Sequence, residues 1–142
     1  MEFSGDERVT LADQIGTLLH CSFAAAIWDI MLGKFELHGV PTSPLVLLNL
    51  GLSYGRSSQL HDLWVACFAS TLWFIWHCRN RVRHDGLEVT VSQACRLITS
   101  TVAASSRLSS GCMFNTVQEL CVIKGMGAIC KPRRAPRIIE VN

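Results

Sequence analysis

LWVACFASTLWFIWHCRNRVRHDG, residues 63–86, holds three of the four tryptophans of the chain and its first cluster of arginines. From Leu63 to Cys78 it contains no Gly, no Pro and no formal charge, and only Ser70, Thr71 and His77 interrupt the apolar run. Trp64, Phe68, Leu72 and Ile75 recur at helical spacing, and Trp73 and Trp76 widen the stripe. A helix this apolar needs cover on more than one side. The run is 16 residues long, whereas a membrane span takes about 20, so the spacing predicts a buried core helix and no membrane span. Charge returns at Arg79, Arg81 and Arg83. His77, Arg81 and His84 share one face of such a helix, and Arg79 and Arg83 another. Positive charge suits the C-terminal end of the helix dipole, and Gly86 is a natural stop.

Working outward, Thr90 and Gln93 have the spacing of a capping box. Val91, Cys95, Ile98 and Val102 then form a narrow stripe that can lie antiparallel along the central helix. Thr116 and Glu119 repeat the box before VQELCVIKG. Upstream, Ser22 is placed to cap FAAAIWDIML, with Gly33 as its stop. Pro41 and Pro44 argue against a regular helix between residues 33 and 61, and LVLLNLGL at 45–52 fits a helical turn or a strand equally well. GMGAI at 125–129 suggests a flexible stretch. KPRRAPR at 131–137 suggests an extended basic linker, and IIEV at 138–141 the start of an unpaired strand. The expected fold is mainly α: a small helical bundle or helical hairpin with irregular connections and an extended basic C-terminal tail. Its helices are expected near 22–32, 59–84, 90–109 and 116–124.

A chain of 142 residues, 49% apolar and 17% charged, is long and apolar enough for one domain with a core. Its charge is uneven. Residues 1–78 carry three basic and seven acidic groups, net −4, and residues 79–142 ten basic and four acidic, net +6. A basic C-terminal half points towards a polyanion, and equally describes a solvated face. Seven cysteines, an odd number with no Cys-x-x-Cys, fit a reducing compartment. Residues 1–10 are too polar for a secretory signal. The expected location is therefore intracellular, either cytoplasmic or nuclear.

Catalytic and metal-binding patterns are weak. His20-Cys21 and His77-Cys78 are the only His/Cys neighbours, and neither has a companion pair at zinc-ligand spacing. Cys112, Cys121 and Cys130 are spaced by nine, which matches no known ligand pattern. No nucleophile elbow or triad signature surrounds any Ser, Cys or His. Gly125 and Gly127 lack the Lys-Ser/Thr of a phosphate loop. Asp85, Glu88, Glu119 and Glu140 are too scattered in sequence to suggest a two-metal site. The residues suggest no enzyme and no cofactor.

Three stretches in order resemble one family. LLHCSFAAAIW at 18–28 resembles the end of the zinc-binding region that follows the polymerase in plant LINE-type, non-LTR retrotransposon reverse transcriptases. TLWFIWHCRNRVRHDG at 71–86 resembles the Trp-rich, Arg-Asn helix that comes next in those polyproteins, and APRIIEVN at 135–142 the segment leading into their ribonuclease H domain. In the family's zinc-binding pattern an upstream Cys pair and a His precede a last Cys. Cys21 matches that last Cys, Gly16 stands where the His is expected, and no Cys lies upstream. The resemblance therefore implies a broken zinc site, with no metal and no catalytic residues. It divides the chain into a remnant of the zinc-binding region at 1–35, a helical connector at 57–125 and a linker towards a ribonuclease H domain at 126–142. The implied function is a non-catalytic polyprotein fragment that binds RNA or DNA weakly and non-specifically. Arg79, Arg81, Arg83, Lys131, Arg133, Arg134 and Arg137 are the candidate contacts. A helical protein–protein interaction module is the alternative. As a piece of a larger polyprotein the chain would leave part of the tryptophan face without its cover, which implies self-association through Trp64, Trp73 and Trp76.

Overall fold

Residues 21–38, 43–52, 55–86 and 89–132 are described in the computed structural model, with the side chains of residues 82–85 outside that description. They form five helices: α1 (Ser22–Lys34), α2 (Pro44–Gly51), α3 (Ser58–Asp85), α4 (Val91–Ser106) and α5 (Val117–Gly125). The described residues contain no strand, and a single bridge pairs Met113 with Pro132. The fold is mainly α, as the hydrophobic spacing predicts.

Helix α3 is the axis, 28 residues long, opened by the Ser57 hydroxyl accepting from the Leu60 amide and closed by Gly86 in the left-handed region at φ 66°. Its buried line runs Leu60, Trp64, Cys67, Thr71, Ile75 and Cys78, at steps of three and four, with Leu63 beside Trp64. This corrects the stripe expected from the bulkiest residues. Phe68 and Leu72 lie at its margin, half-buried, while small Cys67 and Thr71 lie at its centre. Small side chains there let neighbouring helices approach closely.

Helix α4 makes the most extensive helix–helix interface with α3. Its Ala94, Cys95, Ile98 and Val102 face inward, and the hairpin is fastened at its open end by the Ser109 hydroxyl donating to Asp62 at 2.5 Å. Both arms of the Thr90–Gln93 capping box are present. Helix α1 packs against both α4 and α3, with Trp28 5.9 Å from Phe68 and Phe35 edge-on to Trp64 at 5.2 Å between ring centroids.

Helix α2 settles the ambiguity at 45–52 in favour of a helix. Pro44 is the first helical residue, the one place where a missing N–H costs nothing, and the Ser43 hydroxyl caps the turn. Pro44 thus starts the helix it was expected to exclude. A Cβ on Gly51 would lie 2.1 Å from the Trp64 ring, so only glycine lets α2 come down onto that indole. The Leu48 carbonyl accepts from Trp64 Nε1 at 2.9 Å, which pairs the one polar atom of a ring that is 0% exposed. Trp64 therefore cannot take part in the expected self-association, because α1 and α2 enclose it.

Three other local expectations change. Cys21, not Ser22, caps α1, its sulfur accepting from the Ala24 amide at 3.3 Å. Thr116 caps α5, but the Glu119 side chain does not turn back to complete a box. Its two oxygens accept from the Ser57 amide at 3.1 Å and the Phe114 amide at 2.9 Å, so one buried carboxylate joins the start of α3 to the loop before α5. Finally, the stretch at 125–129 carries buried Met126 and Ala128. Buried Gln59 anchors its far end, donating to the Ile129 carbonyl at 2.7 Å and accepting from the Lys131 amide at 2.9 Å. Arg133, Arg134, Arg137 and the segment at 138–141 lie outside the described residues.

Candidate nucleic-acid interface

The face of α3 opposite its buried line is not covered by the described helices. Val65, Ala69, Trp73 and Trp76 succeed one another at steps of three and four along it, and all are exposed. Trp73 is 53% exposed and Trp76 50%, large values for the biggest apolar side chain. Trp73 is nonetheless ordered. The His77 ring lies on it, nearly parallel at 8° with centroids 4.8 Å apart, and Phe74 meets it edge-on at 5.0 Å.

One turn further on, the helix becomes basic on the two flanks of this line, with Arg79 on the side of Trp76 and Arg81 on the side of His77. Arg79 is half-buried and Arg81 exposed, with Asn80 between them. Residue 83 comes seven after Trp76, so its backbone lies on the same line of the helix. The result is two partly open indoles with the backbones of Arg79 and Arg81 about 5 and 8 Å of helix rise beyond Trp76.

Among the described residues, one further candidate contact, Lys131, does not join this cluster. Lys131 lies at the opposite end of α3, where its amide meets Gln59 and its ammonium donates to the Ser109 carbonyl. Gln59 and Arg79 are 20 residues apart on one helix, or roughly 30 Å. The sequence suggests one basic interface from residue 79 onward. The structure separates Lys131 from Arg79 and Arg81.

The described residues offer little else for chemistry. A cavity of about 80 Å³ lies between Glu36, Arg56, Leu60, Gln118, Glu119 and Val122. Burial lowers the pKa of the Arg56 guanidinium from its ordinary value, an effect opposed by the charges of Glu119 and Glu36. Both Glu119 oxygens hold backbone amides, so the carboxylate is structural. Burial raises the pKa of the Cys67 thiol to about 12 and also raises those of Cys78 and Cys95, which keeps all three protonated and unreactive. Among the described residues no three His, Cys, Asp or Glu side chains come together as a metal site, and no helix is long and apolar enough to cross a membrane.

Sequence reasoning expects part of the tryptophan face to lack cover but does not separate buried Trp64 from exposed Trp73 and Trp76. The signal is present in the spacing: a buried line through Cys67, Thr71, Ile75 and Cys78 puts Trp73 and Trp76 outside. Comparison with protein-family models, curated proteins and solved structures gave no match.

Proposed function

We propose that this chain is a non-catalytic helical connector of the kind that joins reverse transcriptase to ribonuclease H in plant LINE-type retrotransposon polyproteins, and that it binds nucleic acid weakly through the basic end of α3. The ordered resemblance of residues 18–28, 71–86 and 135–142 supports the context. The observation that carries the binding is the pair of exposed indoles, Trp73 and Trp76, with Arg79 and Arg81 on the two flanks of the same helix just beyond them. Phosphate contacts release counterions, so affinity falls with salt and depends little on sequence. The test is fluorescence anisotropy of a labelled oligonucleotide over a salt series. Wild type should show a falling log–log plot, and Arg79→Ala with Arg81→Ala should flatten it by about 1.4 units on single strands. Binding that is indifferent to salt contradicts the proposal. In this reading the protein works inside the cell, in cytoplasm or nucleus, without metal or cofactor.

A protein-interaction module is the second reading, favoured by the apolar line Val65, Ala69, Trp73 and Trp76. Its first expression would be self-association through Trp73 and Trp76, read by light scattering against concentration.

A further inference from the structure

Two properties of the outer face of α3 go beyond phosphate binding. The first is the state of the aromatic rings. Trp73 and Trp76 are each about half exposed, while His77 and Phe74 fix the orientation of Trp73. A ring already held in place loses little side-chain entropy when a second flat group stacks on it. The second is what surrounds the rings. Ala69 precedes them, Asn80 follows them on the same line, and His77 with Arg81 on one flank and Arg79 on the other border them. A surface for an apolar protein helix would continue the aliphatic line past the rings. Here the line ends in amide, imidazole and guanidinium groups, so the occupant that fits has a flat unsaturated part and an anionic part a few ångströms away.

We infer that Trp73 and Trp76 form a stacking platform for unpaired bases of a single-stranded nucleic acid, whose phosphates lie against Arg79 and Arg81. The inference rests on the nucleic-acid reading above and sharpens it, since it makes single strands the preferred ligand. In a duplex both faces of each base are already stacked, so a duplex can use the arginines but not the indoles. Base–aromatic stacking tolerates every base because each has a π face, so the preference is for strand state and not for sequence.

The experiment measures affinity of the full chain for an oligo-dT single strand and for a mixed-sequence duplex, together with quenching of tryptophan emission on binding. Four variants are compared with wild type: Trp73→Ser with Trp76→Ser, Trp73→Phe with Trp76→Phe, Arg79→Ala with Arg81→Ala, and Trp28→Phe as a control for a buried indole. Wild type should bind the single strand more tightly and lose part of its emission. The double Ser variant should lose roughly tenfold or more on the single strand and change little on the duplex. The double Phe variant should recover most of the loss, because a phenyl ring also stacks. The arginine variant should weaken both ligands, and Trp28→Phe neither. If the Ser variant keeps wild-type affinity while the arginine variant loses it, the platform is overturned and the phosphate interface stands. If wild type binds neither ligand, both fall. If phosphatidylcholine–phosphatidylserine vesicles blue-shift the emission while oligo-dT leaves it unchanged, the face is a membrane-surface contact and the platform is overturned.

Discussion

The tryptophans divide into two pairs, and the difference between them shows how one apolar helix serves two purposes. Trp28 and Trp64 are 1% and 0% exposed, whereas Trp73 and Trp76 are about half exposed. Trp64 and Trp73 lie nine residues apart on the same helix and read alike in the sequence. What separates them is their neighbours. Trp64 has Gly51, which leaves room for its ring, the Leu48 carbonyl for its nitrogen and Phe35 against its face. Trp73 finds its ring partners among the described residues on its own helix, Phe74 and His77. Apolar character is therefore a property of the sequence, and burial depends on whether another element is shaped to receive the ring.

The sharpest break in the comparison is at the buried pair. Trp64→Ala should destabilise the chain by about 3–5 kcal/mol in urea unfolding, and Gly51→Ala by about 1–3 kcal/mol, because its new Cβ would collide with the indole. A cost below about 1 kcal/mol for Trp64→Ala would place that ring with the exposed pair.

Next is Glu119. Its removal as Glu119→Ala strands the buried Ser57 amide and the part-buried Phe114 amide and should cost about 2–4 kcal/mol. Glu119→Gln keeps an acceptor and should cost less.

The buried side of α3 should also show itself in alkali. The pKa of the Cys67 thiol rises from an ordinary 9.0 to about 12 in the fold, mainly through burial, so the unfolded chain gives up this proton first. Stability is then complete below about pH 9 and declines as pH rises towards 12, by up to ~1.4 kcal/mol per pH unit from this thiol. Cys78 and Cys95 act in the same direction. Cys67→Ala should flatten the alkaline limb of a stability–pH curve measured by urea denaturation.

The smallest effect belongs to the outer pair. Trp73→Ser with Trp76→Ser should change stability by under about 1 kcal/mol each while improving solubility, since the rings contribute to a surface and not to the core. Unfolding of this variant would make them core residues after all.

How much of this is legible in the sequence depends on the range of each interaction. The capping box at Thr90 and Gln93, the stripe Cys95–Ile98–Val102 and the stop at Gly86 are local, and the sequence shows them directly. Helix α2 is ambiguous in sequence because an apolar octapeptide has no period, and Pro44 reads as a breaker although it sits at the one helical position that welcomes it. Glu119 has the spacing of a cap for its own helix but serves residues 62 and 5 positions away. Gln59, which holds Ile129 and Lys131, is a polar residue at a helix start with no local sign of burial. At the candidate interface the arginines are visible as charge. An uncovered part of the tryptophan face is expected too, but which rings it holds is not legible, because bulk suggests the buried line while Cys67 and Thr71 occupy it.

The most direct test of the outer face as an open, basic aromatic surface is collisional quenching of tryptophan emission by iodide and by caesium at low ionic strength. Trp28 and Trp64 should be inaccessible, so a distinct accessible fraction of the emission should respond and should vanish in the Trp73→Phe, Trp76→Phe variant. Relative to their quenching of free N-acetyltryptophanamide, iodide should act on that fraction more strongly than caesium because Arg79 and Arg81 attract the anion, and added salt should narrow the gap. No accessible fraction, or one on which caesium acts as well as iodide on that scale, would contradict the account.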